Sequence, residues 1–157
     1  RDLTSLMHIA INNSKIDITS LESTKKLAEN FSNYLNKGNL VCFYGEIGAG
    51  KTTFIKYLIN SFQKRNNLNV TEITSPTFNL LNEYEIKDLI IKHYDFYRLK
   101  DSSEIDNFDI FENKSNSIIL IEWPELFKKN QNLETINLIF SYKNDFTNRY
   151  VEITGLT

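Results

Sequence analysis

Residues 45–52 read Gly45-Glu46-Ile47-Gly48-Ala49-Gly50-Lys51-Thr52, the spacing G-x-x-x-x-G-K-[ST]. Three of the chain's five glycines fall here. A chain that leaves a strand and turns around a phosphate needs positive φ and no side chain beside the oxygens. Successive backbone N–H groups then converge as an anion nest. The helix that follows adds its positive N-terminal end. In such a loop Lys51 brings a full charge to the β- and γ-phosphates, and the Thr52 hydroxyl can ligate Mg²⁺. A chance match in a chain of this length arises with a probability of roughly half a percent. The pattern therefore predicts a bound nucleoside triphosphate with Mg²⁺ and leaves the base unspecified.

A phosphate loop of this kind works with an acidic group at the end of a neighbouring strand, which holds the magnesium or its water. Two residues qualify. Glu122 ends the apolar run Ile118-Ile119-Leu120-Ile121, and Asp95 sits in His93-Tyr94-Asp95-Phe96-Tyr97-Arg98-Leu99. Ser75-Pro76-Thr77-Phe78 is a further element: Pro76 fixes its own φ and keeps Ser75 extended, with a hydroxyl on either side. Loops of this type order around a γ-phosphate in nucleotide switches, although an ordinary loop before a strand reads the same way. His8 and His93 carry no motif, and His93 reads as a structural neighbour of Asp95. Trp123 directly follows Glu122, either as core or as a cover over the nucleotide side of the sheet.

These residues need a scaffold, and its elements are legible. Leu40–Tyr44 and Ile118–Ile121 are apolar without alternation, as expected of parallel strands covered on both faces. Phe54, Ile55, Leu58, Ile59 and Phe62 recur at helical spacing after the glycine loop. Residues 16–19 read as a short strand. Thr19-Ser20-Leu21-Glu22 fits a capping box, and Thr24, Leu27, Ala28, Phe31, Tyr34 and Leu35 predict one buried helix face, ended by Lys37 and Gly38. Residues 78–99 read as two strands around Lys87-Asp88. A second helix start is expected at Asp101-Ser102-Ser103-Glu104. Ile136, Leu138 and Phe140 alternate as a half-exposed strand, with Val151 and Ile153 as its partners. The predicted fold is α/β and P-loop NTPase-like: a mostly parallel central sheet flanked by helices, with an antiparallel C-terminal portion. Residues 1–15 are read as an N-terminal extension of unknown role and 16–157 as a single domain.

Composition narrows the function. The chain has 157 residues, 41% hydrophobic, which suffices for one core. Its formal net charge of −2 argues against gripping nucleic acid by bulk positive charge. The single cysteine, Cys42, precludes an intrachain disulfide and a cysteine zinc site, and points to a reducing, cytoplasmic setting. No apolar run approaches the roughly 20 residues of a membrane span, and residues 1–15 lack the pattern of a signal peptide.

In this order, the elements at 45–53, 75–78, 93–99 and Ile121-Glu122-Trp123-Pro124 resemble the TsaE (YjeE) family of bacterial ATPases in tRNA threonylcarbamoyladenosine biosynthesis. The likeness extends over residues 16–155. It implies slow, Mg²⁺-dependent ATP hydrolysis within a complex with TsaD and TsaB, which install the threonylcarbamoyl group on adenosine 37 of ANN-decoding tRNAs. The tRNA would be met only through that complex, which nucleotide-dependent partner binding would reset. Carried over by motif, Gly45, Glu46, Ile47, Gly48, Ala49, Gly50, Lys51, Thr52 and Thr53 line the nucleotide. Thr52 and Glu122 address magnesium, Asp95 lies on the catalytic side with Lys51 and Glu122, Ser75 and Thr77 belong to a switch-like loop, and Trp123 lies nearby. Ser20 and Arg149 are placed at the nucleotide by the resemblance alone. A small-molecule kinase is the main rival, but the chain has only four arginines and no evident lid. A GTPase is disfavoured because Asn113-Lys114-Ser115-Asn116 lacks the acidic residue of N-K-x-D. A nucleotide-binding partner without catalysis is the third possibility.

Overall fold

The computed structural model describes residues 10–76, 80–101, 103–104, 110–128, 134–144 and 147–156. Seven strands form one mixed sheet: β1 (Lys15–Asp17), β2 (Leu40–Tyr44), β3 (Leu81–Ile86), β4 (Leu89–Asp95), β5 (Ser117–Glu122), β6 (Ile136–Lys143) and β7 (Asn148–Thr154). The spatial order is β1-β7-β6-β2-β5-β4-β3. The inner pairs β6/β2, β2/β5 and β5/β4 are parallel. The outer pairs β1/β7, β7/β6 and β3/β4 are antiparallel. The expected parallel centre and antiparallel C-terminal portion are both present.

The uninterrupted apolar runs do what their lack of alternation implies. Val41 and Phe43 of β2, with Ile118 and Leu120 of β5, face one core; Leu40, Cys42, Ile119 and Ile121 face the other. The first core is closed by α1 (Leu21–Ser32) and α2 (Lys51–Arg65). The second is closed by Tyr94, Phe96 and Ile110, with Leu126 of the short α3 (Glu125–Lys128) packed against it. At the C-terminal pair, Leu138 stands opposite Ile153 and Phe140 opposite Val151, as the alternation predicts. β3 and β4 meet at Lys87-Asp88, where Lys87 takes φ +58°.

The first helix departs from its reading. Its N-cap is Ser20, not Thr19: Ser20 Oγ accepts the Ser23 N–H at 3.0 Å, and Ser23 Oγ donates back to the Ser20 carbonyl at 2.8 Å. The helix stops at Ser32, with Asn33 as its C-cap, rather than at Lys37-Gly38. The reason is the asparagine-rich stretch beyond it. Asn33, Tyr34 and Leu35 donate to carbonyls three residues back, and Asn39 Oδ1 accepts the Asn36 N–H at 2.7 Å. Asparagine offers the backbone such local alternatives to a helix. Tyr34, expected on the buried face, is therefore exposed. Lys37 pairs instead with Asp88 at 2.9 Å, and the Gly38 N–H donates to Ser117 at the start of β5. Of the helix start expected at 101–104 only Ser102 lies outside the described residues: Ser103 and Glu104 form a 3-10 turn, Asp101 Oδ1 accepts the Ser103 N–H at 3.0 Å, and the Glu104 N–H donates to the Asp101 carbonyl at 3.1 Å.

Residues 10–15 are tied to the sheet. Ala10 is buried in the first core and its N–H donates to Asn30 Oδ1, Asn12 bridges to Ile153, and Lys15 already lies in β1. At the centre of that core Phe54 of α2 contacts the rings of Phe31, Phe43 and Phe140, with centroids 5.7–6.2 Å apart. Phe54→Ala is expected to lower the unfolding free energy by about 3–5 kcal/mol, read by chemical denaturation; a loss below about 1 kcal/mol would show that the ring cluster is not the core's anchor.

Candidate nucleotide site

The sheet directs its chemistry to one end. β2, β5 and β4 run parallel, and open sheets of this kind bind ligands beyond the carboxyl ends of their strands. The register sets Phe43 beside Glu122 and Asp95 beside Glu122, so the glycine loop after β2, the end of β5 and the end of β4 lie together.

The loop itself is shaped by backbone. Gly45, Gly48 and Gly50 all have positive φ, at 137°, 84° and 106°. Gly45 also has no room for a side chain: a Cβ there would lie 2.7 Å from the Phe140 carbonyl oxygen and 2.9 Å from the Phe140 Cβ. The first turn of the loop thus rests on β6. Tyr142, two residues along that strand, strengthens the contact by donating its hydroxyl to Glu46 Oε2 at 2.7 Å. No side chain caps α2 at Gly50, so the helix N-terminus keeps its N–H groups for a ligand.

A cleft of about 460 Å³ opens beside this loop, lined by Ile47, Gly48, Gly50, Lys51, Thr52, Thr53, Asp95, Tyr97, Glu122, Trp123 and Arg149. Lys51 donates to the Gly45 carbonyl, and its Nζ stands 3.6 Å from the centroid of the Trp123 ring. Burial lowers the Lys51 pKa, against the attraction of Glu122, Glu125 and Asp95. Trp123 holds φ +56°, a left-handed backbone that costs a bulky residue roughly 1–2 kcal/mol. Its ring also packs on Tyr97, with centroids 4.8 Å apart.

Thr52 is the meeting point of the oxygen ligands. Its hydroxyl donates to Glu122 Oε1 at 3.2 Å and lies 3.3 Å from Ser75 Oγ. Glu122 is only 2% exposed, and its second oxygen, Oε2, lies 2.8 Å from Nε2 of the wholly buried His93. Asp95 Oδ1 accepts the Tyr97 N–H at 3.0 Å. Its pKa is raised, chiefly by burial and further by the Glu122 charge, while the Tyr97 N–H acts in the opposite direction.

These donors fit Mg²⁺. A hydroxyl and a carboxylate are hard oxygen ligands, and Mg²⁺ is commonly held by one or two carboxylates together with substrate phosphates. Among the described residues there is no cluster of three or more His, Cys, Asp or Glu able to hold a metal by itself. The cleft also suits an anion: Arg149 Nε is buried there without a hydrogen-bond partner among the described residues.

The residues proposed from sequence divide into groups. Ile47, Gly48, Gly50, Lys51, Thr52, Thr53, Asp95, Glu122, Trp123 and Arg149 line the cleft. Ser75 reaches it through Thr52. Gly45 and Glu46 lie behind it, in a smaller cavity with Phe140, Ser141 and Tyr142, and Ala49 is buried. Ser20 does not line the cleft, and its hydroxyl caps α1. Thr77 lies outside the described residues. Three participants were not proposed for the site: Tyr97, which lines the cleft and packs on Trp123, Tyr142, and His93, read only as a structural neighbour of Asp95. Tyr142 supports the loop from a strand distant in sequence, and no local signal marks it. His93 had a signal, since it stands two residues before Asp95 on a strand and so shares its face.

Among the described residues no helix is long and apolar enough to cross a membrane. The family "Threonylcarbamoyl adenosine biosynthesis protein TsaE" matches residues 18–151. The chain is 42% identical over 111 residues to the tRNA threonylcarbamoyladenosine biosynthesis protein TsaE of Rickettsia conorii, covering 71% of this chain and 61% of that protein. The protein of the same name from Rickettsia bellii is 40% identical over 116 residues, covering 74% and 78%. The aligned stretch thus spans about three fifths of the Rickettsia conorii relative's length. In three dimensions the chain superposes on the crystal structure of Bacillus subtilis YdiB with a TM-score of 0.70 at 24% identity, covering 92% of this chain and 86% of that one. That likeness establishes a common fold. With the family match over residues 18–151 and the relatives at 40% identity or more, the chain belongs to the TsaE family.

Proposed function

We propose that the chain is a Mg²⁺-dependent ATPase of tRNA threonylcarbamoyladenosine biosynthesis that works with TsaD and TsaB, in the cytoplasm. The observation that carries this reading is the Thr52 hydroxyl, the first side chain after the loop lysine, set 3.2 Å from the buried carboxylate of Glu122. Phosphate-loop hydrolases place a hydroxyl and a strand-end acid together in this way. Membership of the TsaE family supports the pathway, and a chain of net charge −2 suits one that meets tRNA through partners.

In this mechanism the loop N–H groups and the start of α2 cradle the phosphates, and Lys51 neutralises charge on the β- and γ-oxygens. Arg149 adds its guanidinium from β7. Thr52 and Glu122 would hold Mg²⁺, which when bound supplies charge stabilisation at the transferring phosphoryl group. Asp95, at the rim of the same cleft, orients the attacking water. Water adds to the γ-phosphorus as the bond to the β-phosphate oxygen breaks, giving ADP and inorganic phosphate. Partner affinity then differs between the ATP and ADP states, which is the condition for a nucleotide to reset a complex.

Lys51→Ala should abolish detectable binding of ATP and ADP, measured by calorimetry. Glu122→Gln should keep ATP binding while lowering kcat by about 10²-fold in the assembled complex with TsaD and TsaB; hydrolysis at the wild-type rate would overturn the assignment of Glu122. Acceptor-dependent ADP release with a phosphorylated product would replace the ATPase by a kinase.

Asp95 gives a stability test with a defined sign. Its folded pKa lies above the ordinary 3.8, so the ionised carboxyl destabilises the fold, fully above the raised pKa and not at all below the unfolded value. Asp95→Asn keeps the acceptor for the Tyr97 N–H and removes the charge. It should raise the melting temperature at pH 8, with the gain shrinking to nothing as the pH falls below 3.8, while hydrolysis slows. An equal gain at all pH values would place the effect elsewhere than in the charge.

A further inference from the structure

His93 is a costly residue for its position. It is wholly buried, in β4 between Ile91 and Asp95 on the strand face that looks toward α1 and α2. An imidazole taken out of water loses its hydration unless its nitrogens find partners, and a leucine or isoleucine would fill an ordinary core site without that loss. Among the described residues Nδ1 has no hydrogen-bond partner. The polar contact that His93 does make is Nε2 to Glu122 Oε2, at 2.8 Å. A carboxylate only accepts, so in this bond Nε2 carries a proton and donates it to Glu122.

That bond divides the two oxygens of Glu122. Oε2 is taken by His93, and Oε1 is left facing the Thr52 hydroxyl. The strand register makes the division possible. Asp95 stands directly beside Glu122 in the parallel pair, and His93, two residues earlier on the same face, reaches the carboxylate diagonally. Carboxylates and imidazoles that bind metals are commonly oriented by such outer hydrogen bonds.

We propose that His93 is a positioning residue, whose Nε2–H holds Oε2 of Glu122 so that Oε1 alone is presented with Thr52 Oγ1 to a nucleotide-bound Mg²⁺. This rests on the ATPase reading above and extends it by one residue. The role is geometric: without the bond Glu122 is free to turn, and its second oxygen is buried without a donor.

The test uses the full chain and the fluorescent nucleotide mant-ADP, titrated with MgCl₂ and separately in EDTA. His93→Phe should bind mant-ADP in EDTA as the wild type does, and should need about 10–100-fold more Mg²⁺ to reach the magnesium-dependent gain in affinity. His93→Gln, whose amide NH₂ can again donate to Glu122, should recover most of that gain. In the Glu122→Gln background, His93→Phe should add no further loss. An unchanged Mg²⁺ requirement in His93→Phe overturns the positioning role alone. A wild-type chain with no magnesium-dependent gain overturns the ATPase reading beneath it. Should His93→Phe fail to fold, the wild-type chain still decides: it has only two histidines, and ¹⁵N imidazole spectra should find the His93 proton on Nε2, with a shift on adding Mg²⁺ to the ADP complex. A bare Nε2, or no shift, overturns the proposal.

Discussion

A carboxylate buried at the end of an apolar strand is the constraint around which this end of the molecule is organised. Glu122 follows four consecutive aliphatic residues and is itself 2% exposed. An ionised group removed from water costs several kcal/mol unless it is paired and hydrogen-bonded. Its two acceptor oxygens are met from two sides, by Thr52 at the start of α2 and by His93 on β4. Satisfying one charge therefore aligns three segments that are far apart in sequence. The alignment brings together the glycine loop, the hydroxyl that follows it and the end of β4.

The glycine loop has its own support, on the opposite side. Gly45 lies against β6 with no space for a side chain, and Glu46 is held by Tyr142 of the same strand. The loop is thus fixed between β6 behind it and the β5 carboxylate beside it. Strands β6 and β7 supply no acid to the cleft, but they decide where its floor sits. β7 also contributes Arg149, whose backbone bonds to Ile18 and Thr19 just ahead of α1. Trp123 completes the cleft in a left-handed backbone, its ring over Lys51 and against Tyr97. Unfavourable backbone conformations of this kind concentrate at functional sites, where neighbouring structure holds them.

Much of this could be read from residue order. The glycine spacing specified a loop between a buried strand and a helix, and both are present. The doubly apolar runs identified β2 and β5 as interior strands, and alternation paired β6 with β7. The reading went wrong at α1 because helical periodicity continues past the point where the helix ends: Tyr34 and Leu35 keep the spacing, but tighter backbone turns and the Asn39 side chain capture the backbone first. The cap moved from Thr19 to Ser20 for a tertiary reason: the Thr19 hydroxyl is taken by the Arg149 N–H of β7. Two adjacent hydroxyl residues offer almost the same signal, and the one chosen is set by which N–H the fold leaves within reach.

Sequence by itself determined the chemistry available and the strand ends that carry it: a phosphate loop, a lysine, a hydroxyl and two acids, each at the edge of an apolar run. Tertiary structure alone decided how these groups are shared out. Which oxygen of Glu122 faces Thr52 and which faces His93, and the support of Gly45 by Phe140, depend on register between strands distant in the chain. Register is fixed by how side chains from both sheet faces pack, a collective property of the folded core that no local pattern contains.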